Sequence, residues 1–226
     1  MLDVNHTMKG KNHPPYSVPA CESRVEIQVK NSRFIACAAL ALTVEDAREY
    51  IRNIRKEFAD ASHHVPAFLV GFGASVTEHC HDDREPTGTA GKPVLEVLKG
   101  SQIGDVAIVV VRYFGGTRLG TGGLARAYRD AAKAVIEQMP LALKTLTCEV
   151  VAAFPYAHYQ KARGLLDAHQ GTLLDESFSE NVTLTCRLPS QNVNLFTINL
   201  TDLTQGKCWQ ITRRDVIAIV PQPVHS

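Results

Sequence analysis

The chain has 226 residues, of which 45% are hydrophobic and 21% are charged, and its formal net charge is +1. This length is enough for one large domain or two small ones, each with a buried core. The balanced charge excludes a strongly basic protein that is drawn to nucleic acid over its whole surface, and the ordinary composition argues against a disordered or membrane-embedded chain.

The first 20 residues are polar and include three prolines. They have no apolar core of the kind that defines a secretory signal, so residues 1–20 are expected to form an irregular lead-in. The longest apolar run, residues 34–42, has nine residues and is too short to cross a bilayer. The six cysteines include no CxxC pair, which favours reduced thiols. We therefore expect a cytoplasmic protein that makes no membrane contact.

The segments after the lead-in predict a hairpin, a helix and a further strand. Apolar and polar residues alternate over 21–30, and a second apolar stretch follows the Asn31-Ser32 turn signal. Thr43 is a suitable N-cap for the helix, and residues 65–72 predict a buried strand. The residues expected on the inward face of the helix are Val44, Ala47, Ile51, Ile54 and Phe58.

The next stretch carries two polar, glycine-rich loops on either side of one strand. The loops lie in 85–93 (EPTGTAGKP) and at the start of 112–128 (RYFGGTRLGTGGLARAY), and the strand is 106–111 (VAIVVV). Each loop leads into a segment of helical period, so two helix N-termini are expected beside a central sheet. Such termini offer unpaired backbone N–H groups and a partial positive charge, which suit a phosphate group.

These loops define a candidate anion-binding surface. Between Arg84 and Lys133 the chain has eight basic residues against four acidic ones, a modest local excess of positive charge. The alternative is that the glycines only permit tight turns and close packing. Arg112 and Arg118 are expected to contact phosphate, and Lys92 to add charge. The other candidate residues are Thr87, Gly88, Thr89, Gly115, Gly116, Gly120, Thr121, Gly122 and Gly123.

A break at Met139-Pro140 separates two halves of the chain. After it, the pattern of strand, helix, two strands, helix and strand (βαββαβ) is the order of a ferredoxin-like domain. The chain is therefore expected to be α+β, with a first domain at 21–140 and a second at 143–221.

Acid–base catalysis is an alternative for the same region. His63, Asp83 and Glu85 are candidate polar site residues, and a carboxylate beside a histidine can transfer protons. A solvated acidic turn at Asp82-Asp83 is the competing interpretation. No nucleophile elbow, Walker loop or HExxH motif is present, so we assign no catalytic residue and no cofactor.

Metal binding was considered for the segment His79-Cys80-His81. Adjacent residues of a strand point to opposite faces, so only His79 and His81 could converge. A structural zinc site needs four ligands, and no metal is therefore expected.

Three motifs carry a resemblance to a known family. They are SRFIA (32–36), DDREPTGTAGKP (82–93) and VVVRYFGGTRLGTGGLARAY (109–128). They resemble the IMPACT family, known in bacteria as the YigZ type, whose pattern is close to DDGEPSGTAGKP, VVRYYGG, LGTGGL and AY. With the βαββαβ half, the resemblance covers nearly the whole chain. Thr87 replaces the family's usual serine and keeps the hydroxyl, whereas Arg84 replaces a glycine that tolerates positive φ.

The resemblance implies an N-terminal domain of the ribosomal protein S5 domain 2-like fold and a C-terminal ferredoxin-like domain. This pair is similar to the last two domains of elongation factor G. Eukaryotic relatives control a stress kinase of translation and use an additional RWD domain, for which some twenty lead-in residues are too few. The kinase role is therefore not carried over.

What the resemblance does imply is a translation-related regulator that binds RNA or the ribosome. An enzyme acting on a nucleotide-like phosphorylated substrate, or a regulator that binds a protein partner through the same surface, are the alternatives.

Overall fold

The computed structural model describes residues 14–221 and has the predicted α+β architecture. These residues divide into two compact units, an N-terminal unit (16–143 with 219–221) and a C-terminal unit (144–218 with 14–15). The boundary after residue 143 lies inside a strand rather than in a linker. Within the described part of the chain, no helix is long and apolar enough to span a membrane.

The N-terminal unit is an antiparallel sheet with helices on both faces. The elements in chain order are β1 (Tyr16–Pro19), β2 (Ser23–Val29), β3 (Ser32–Leu40), α1 (Val44–Glu57), β4 (His63–Val70), β5 (Thr77–Cys80), α2 (Gly91–Gly100), β6 (Val106–Tyr113) and α3 (Gly120–Gln138). The order of strands in the sheet is β2-β3-β6-β4-β5.

The central strand β6 is buried on both faces, which confirms the prediction made from its apolar run. Side chains alternate along a strand, so the two faces belong to different cores. Val106, Ile108 and Val110 pack in the core that contains α2 and α3. The other three, Ala107, Val109 and Val111, pack in the core that contains α1. The α1 helix thus covers one face of the sheet, and α2 and α3 cover the other.

Helix α1 begins where the sequence predicts. The Thr43 hydroxyl accepts a hydrogen bond from the Asp46 N–H at 3.0 Å, and the Asp46 carboxylate accepts one from the Thr43 N–H at 2.9 Å. This capping box satisfies two N–H groups at the start of the helix. Ala47, Ile51 and Ile54 are buried against the sheet.

The prediction of an irregular lead-in is wrong for its last residues, which form β1. Val18 is fully buried beside Ala142, and the Tyr16 hydroxyl donates to the Asp105 carboxylate at 2.7 Å. Prolines in this segment suggested irregular chain, but a short strand tolerates a proline at its end. The remainder of the lead-in, residues 1–13, lies outside the described residues.

The C-terminal unit has the predicted βαββαβ order. Its elements are β7 (Leu141–Phe154), α4 (Tyr159–Ala168), β8 (Thr172–Phe178), β9 (Val182–Pro189), α5 (Val193–Leu203) and β10 (Trp209–Pro221). Single 3-10 turns precede the two helices. The order of strands in the sheet is β10-β7-β9-β8, and α4 and α5 pack against one face of the sheet.

Candidate anion-binding surface at the glycine-rich loops

The register of the N-terminal sheet brings predicted site residues from distant segments to one edge. Strands β4 and β6 are antiparallel with His63 opposite Arg112, so the start of β4 lies beside the end of β6. The turn that carries Glu85 reaches the same edge, because the Glu85 carboxylate contacts both of these side chains. Helix α3 starts a few residues after β6 ends.

Glu85 is a buried carboxylate at the centre of this edge. Its Oε1 accepts hydrogen bonds from Arg112 Nη1 at 2.6 Å and from the Tyr128 hydroxyl at 2.8 Å, and His63 Nε2 lies 3.6 Å away. Burial, together with the adjacent Glu85 carboxylate, raises the pKa of Tyr128 well above its usual value, so the hydroxyl remains a donor. The network joins the first glycine-rich loop to β6 and α3.

Arg112, which we predicted to contact phosphate, lies inside this network and is only 5% exposed. Its guanidinium carbon is 5.4 Å from the ring centre of Phe34 and 5.3 Å from that of Phe114. Within the described residues, its buried Nε atom has no hydrogen-bond partner. Phe114 is 48% exposed, so Arg112 supports an aromatic ring that faces solvent.

His63 and Asp83, the other candidate polar residues, hold the turn in place. His63 Nδ1 donates to the Asp83 carbonyl at 2.8 Å, since a carbonyl oxygen can only accept. The Asp83 carboxylate accepts from the His64 N–H at 2.7 Å and from Arg55 at 3.3 Å. The carboxylate is therefore engaged in structural hydrogen bonds, and the interpretation as a solvated acidic turn is wrong for this residue.

Asp82 caps the start of α2. Its carboxylate accepts hydrogen bonds from the N–H groups of Gly88 at 2.8 Å, Ala90 at 3.1 Å and Gly91 at 2.8 Å. Burial alone would raise the pKa of Asp82, but these three N–H groups outweigh it and hold the pKa below its usual value. The backbone groups that we expected to line an anion site in this loop thus already bind a carboxylate of the same chain.

The residues of the first loop that surround this cap mainly stabilise the conformation of the loop. The buried Thr89 hydroxyl donates to the Pro86 carbonyl at 2.6 Å. Thr87 and Lys92 are exposed. The charge of Lys92 is therefore available to solvent, whereas the amides beside it are not.

Arg84 has a backbone conformation that favours glycine. Asp83 and Arg84 have φ angles of 45° and 69°, and the Glu85 N–H donates to the Asp82 carbonyl at 3.0 Å. Two consecutive positive φ angles and this hydrogen bond define a type I′ turn, which favours glycine at its second central position. The turn therefore holds an arginine where glycine is favoured, and the Arg84 side chain donates to the Ser62 carbonyl at 3.4 Å.

In the second loop, Gly115 is required by packing. A Cβ atom at this position would lie 1.8 Å from the Asn31 carbonyl oxygen in the β2–β3 turn. The Gly115 N–H donates to the buried Ser32 hydroxyl at 3.2 Å, and the Asn31 side chain donates to the Thr117 hydroxyl at 3.4 Å. The first part of the second loop is thus fixed against the hairpin, as the structural interpretation of the glycines predicts.

The first turn of α3 has a different character. Helix α3 has no side-chain hydrogen bond at its N-cap residue Leu119 and no acidic residue in its first turn. Gly120, Thr121, Gly122 and Gly123 are exposed. A Cβ atom at Gly122 would meet nothing within 4 Å, so packing does not require glycine there.

An alanine at Gly122 would favour the helix by roughly 1 kcal/mol. Glycine leaves the backbone N–H groups of this turn bare, and a ligand can therefore approach them closely. Arg118 precedes the turn, is exposed, and forms no ion pair with any residue from 14 to 221.

Two residues that complete this edge were not predicted as part of the site. Ser32 is the first residue of β3, directly after a turn, and Tyr128 lies on the inward face of α3. Both are buried, and their hydroxyl groups bind the loops. A polar atom on an otherwise inward-facing side chain is the signal that identifies such positions.

Metal ligation was not expected here. Among residues 14–221, no three or more His, Cys, Asp or Glu side chains are grouped so that they could hold a metal ion. His79 of β5 and His81, which directly follows β5, both line a groove beside α1.

Comparison with known proteins agrees with this architecture. A family model described as the Impact N-terminal domain matches residues 30–136, and one described as a domain of unknown function (DUF1949) matches residues 153–207. The chain is 35% identical over 190 residues to the IMPACT family member YigZ of Escherichia coli, covering 84% of this chain and 93% of that protein. It is also 35% identical over 182 residues to the IMPACT family member YvyE of Bacillus subtilis, covering 80% and 83%.

A solved structure described as the crystal structure of an hypothetical protein is similar over the whole fold. Its TM-score is 0.57 at 31% sequence identity, with 93% of this chain and 98% of that chain covered. The relatives and the family models extend across both units, and the motifs that suggested the resemblance lie in the first matched region. The chain belongs to the IMPACT family.

Proposed function

We propose that this protein is a cytoplasmic regulator of translation that binds RNA or the ribosome through the open first turn of α3. The observation that carries the proposal is that, among residues 14–221, no side chain caps the exposed first turn of α3 at residues 120–123 and no carboxylate pairs with the Arg118 guanidinium. A helix N-terminus attracts anions through its N–H groups and its dipole, and an adjacent arginine adds a charge-assisted hydrogen bond.

An exposed aromatic ring beside this turn favours nucleic acid over a simple inorganic anion. Phe114 lies in the same loop and is 48% exposed, and the Arg112 guanidinium packs against its ring. Proteins that bind single-stranded nucleic acid combine positive charge along the backbone with aromatic rings on which bases stack. Gly116 and Thr117, between Phe114 and Arg118, are exposed and leave this approach open.

Arg118→Ala tests the proposal. Arg118 lies at the surface, so we expect the variant to keep its melting temperature within a few degrees, as for a surface change of about 0.5 kcal/mol. The affinity for a short single-stranded RNA or for purified ribosomes should fall roughly tenfold, about 1.4 kcal/mol. The slope of log affinity against log salt should become smaller by about 0.7, the value for one phosphate contact on a single strand.

Lys133→Ala is the matched control, because Lys133 is exposed on the same helix but roughly 20 Å further along its axis. It should leave the affinity and the slope unchanged. Equal binding of the wild type and Arg118→Ala to both partners would contradict the proposal. Recovery of a protein that resists ribonuclease treatment, lost in Arg118→Ala, would instead identify the partner of this surface as a protein.

A further inference from the structure

A second groove, on the opposite face of the N-terminal sheet, gathers cationic and titratable side chains. It lies between α1, β4 and β5 and has a volume of about 390 Å³. Ile51, Pro66 and Phe68 form its apolar floor, and two of them belong to the core beneath α1. The polar residues that line it are Arg48, Arg52 and Arg55 of α1, His79 of β5, and His81, which directly follows β5.

The periodicities of the two elements explain why these side chains converge. Residues 48, 52 and 55 are spaced by four and three positions, so they form one stripe along α1, next to its buried face. His79 alternates along β5 with Glu78, which faces the other side of the sheet and pairs with Lys99 of α2 at 2.9 Å, and His81 follows directly after the strand.

The three guanidinium groups remain accessible. The side chains of Arg48, Arg52 and Arg55 are 64%, 54% and 45% exposed. Glu45 lies 4.0 Å from Arg48 and 3.0 Å from Arg52, and Asp83 lies 3.3 Å from Arg55. Exposed ion pairs of this kind contribute little to stability, and each guanidinium has five N–H donors, so most of the donors remain free for a ligand.

The positive charges of the groove lie close enough together to affect the pKa of His79. Burial first, and then the positive charges of His81 and Arg48, lower the pKa of His79 below its usual value. The other groups that face this imidazole are Arg52 and Arg55 of α1 and the apolar Pro66 and Phe68 of β4. An anion in the groove would relieve the repulsion among these positive charges.

We propose that this Arg–His groove binds the phosphate groups of a linear phosphate chain. The first and last of the three arginines are seven positions apart on the helix, about 10 Å, so the three side chains can bind successive phosphates rather than a single one. The planar guanidinium forms paired hydrogen bonds with phosphate oxygens, and an apolar floor excludes water from one side of the ligand. Because α1 and α3 lie on opposite faces of the sheet, this site does not depend on the one proposed above.

Calorimetric titration with tripolyphosphate and with a short single-stranded RNA tests the proposal. We expect Arg52→Gln to weaken binding of the probe roughly tenfold, the loss of one charge-assisted contact. Glu45→Gln removes a competing carboxylate and should strengthen binding two- to threefold or more, as estimated from one exposed ion pair. Arg126→Gln, an exposed arginine of α3, is the control and should leave binding unchanged.

The two probes separate the sources of the phosphate chain. Both probes are compared in Arg118→Ala, so that RNA bound at the α3 turn does not contribute. Tighter binding of tripolyphosphate identifies a free polyphosphate or nucleotide chain, and tighter binding of RNA identifies a nucleic-acid backbone. Arg118→Ala should leave tripolyphosphate binding unchanged, so failure at the α3 turn and failure at this groove are distinguishable. Binding should strengthen as the pH falls through the pKa of His79, because the anion stabilises the imidazolium, and His79→Gln should reduce this dependence.

The proposal would be overturned if tripolyphosphate did not bind the protein and RNA did not bind Arg118→Ala. So would equal effects of Arg52→Gln and Arg126→Gln, or unchanged affinity in Glu45→Gln, since either result would mean that the groove charges do not meet the ligand.

Discussion

The N-termini of α2 and α3 have similar sequences, but they differ in whether a carboxylate binds their backbone N–H groups. Both helices follow a glycine-rich loop, both pack on the same face of the sheet, and neither has a side-chain hydrogen bond from its N-cap residue. At α2, the Asp82 carboxylate binds the N–H groups of Ala90 and Gly91. At α3, no carboxylate from the described part of the chain binds the N–H groups of the first turn, and Arg118 adds a positive charge nearby.

This difference shows how one structural device serves two purposes. The backbone N–H groups at a helix start attract an anion, whatever its source. Where the chain supplies the carboxylate, the terminus becomes part of the fold and orders the loop. Where the chain supplies none and places glycines in the first turn, the terminus is available to a ligand. Glu85 links the two regions, since it follows Asp82 in the first loop and binds Tyr128 of α3.

The largest effect is expected from breaking this link with Glu85→Ala. The variant would leave the buried Arg112 guanidinium without its counter-ion, which typically destabilises a protein by about 3–5 kcal/mol. Urea unfolding measures this loss as a decrease in the free energy of unfolding. The control is Glu78→Ala, which removes an exposed partner of Lys99 and should cost about 1 kcal/mol or less. Similar values for the two variants would show that the Glu85 network does not hold the two helices.

A smaller loss is expected from Asp82→Asn, which removes the anion from the start of α2. Loss of a helix-capping carboxylate costs about 1–2 kcal/mol at neutral pH. The pKa of Asp82 is lowered in the folded protein, so its contribution is present above the unfolded value of about 3.9 and is lost as the pH falls through the folded value. The difference in unfolding free energy between wild type and variant should therefore shrink below about pH 4.

Asp130→Asn, at an exposed position of α3, is the control for this titration and should follow the wild type. A difference between wild type and Asp82→Asn that stays constant down to acid pH would contradict the assignment of the cap.

The elements of the fold could be predicted because their signals are local. Six consecutive apolar residues in β6 are stable only when both faces are covered, and Thr43 and Asp46 form a capping box within one turn. The four residues of β1 carry too little periodicity to be detected. They are ordered by contacts with Asp105 and Ala142, which lie far along the chain.

The candidate site could be located from its motifs, but the roles of its residues could not. The sequence places Arg112 near the end of a strand and predicts that it contacts phosphate, whereas its place in the buried network depends on Glu85 and Tyr128, 27 residues before it and 16 after it. Asp82 lies nine residues before Gly91, so no capping pattern at the helix start reveals it. The local sequence determines which loops lead into the helices. Long-range contacts determine which backbone N–H groups at the helix starts are hydrogen-bonded within the chain.

A substitution in the turn beside the α2 cap is expected to raise the free energy of unfolding, whereas the two substitutions above lower it. Arg84 has a φ angle of 69°, a conformation that costs an ordinary residue roughly 1–2 kcal/mol. Arg84→Gly removes this strain, and after the extra entropy of glycine in the unfolded chain we expect a net stabilisation of about 0.5–1 kcal/mol. Thermal and urea unfolding measure it.

Arg126→Gly makes the same chemical change inside α3 and should destabilise by about 1 kcal/mol, since glycine is unfavourable in a helix. A destabilising effect of Arg84→Gly would mean that the contact with the Ser62 carbonyl outweighs the strain of the turn.

The smallest change in stability is expected from Thr121→Asp, which gives α3 the anion that α2 already has. A carboxylate in the first turn interacts favourably with the helix dipole, so the free energy of unfolding should rise by about 0.3–1 kcal/mol. The same carboxylate would compete with phosphate for the bare N–H groups and repel it, so the affinity for a short single-stranded RNA should fall at least as far as in Arg118→Ala. Thr121→Asn has nearly the same shape without the charge and should retain most of the affinity. If Thr121→Asp stabilised the protein and left RNA binding intact, the α3 terminus would be open without being a binding site, and the comparison with α2 would describe stability alone.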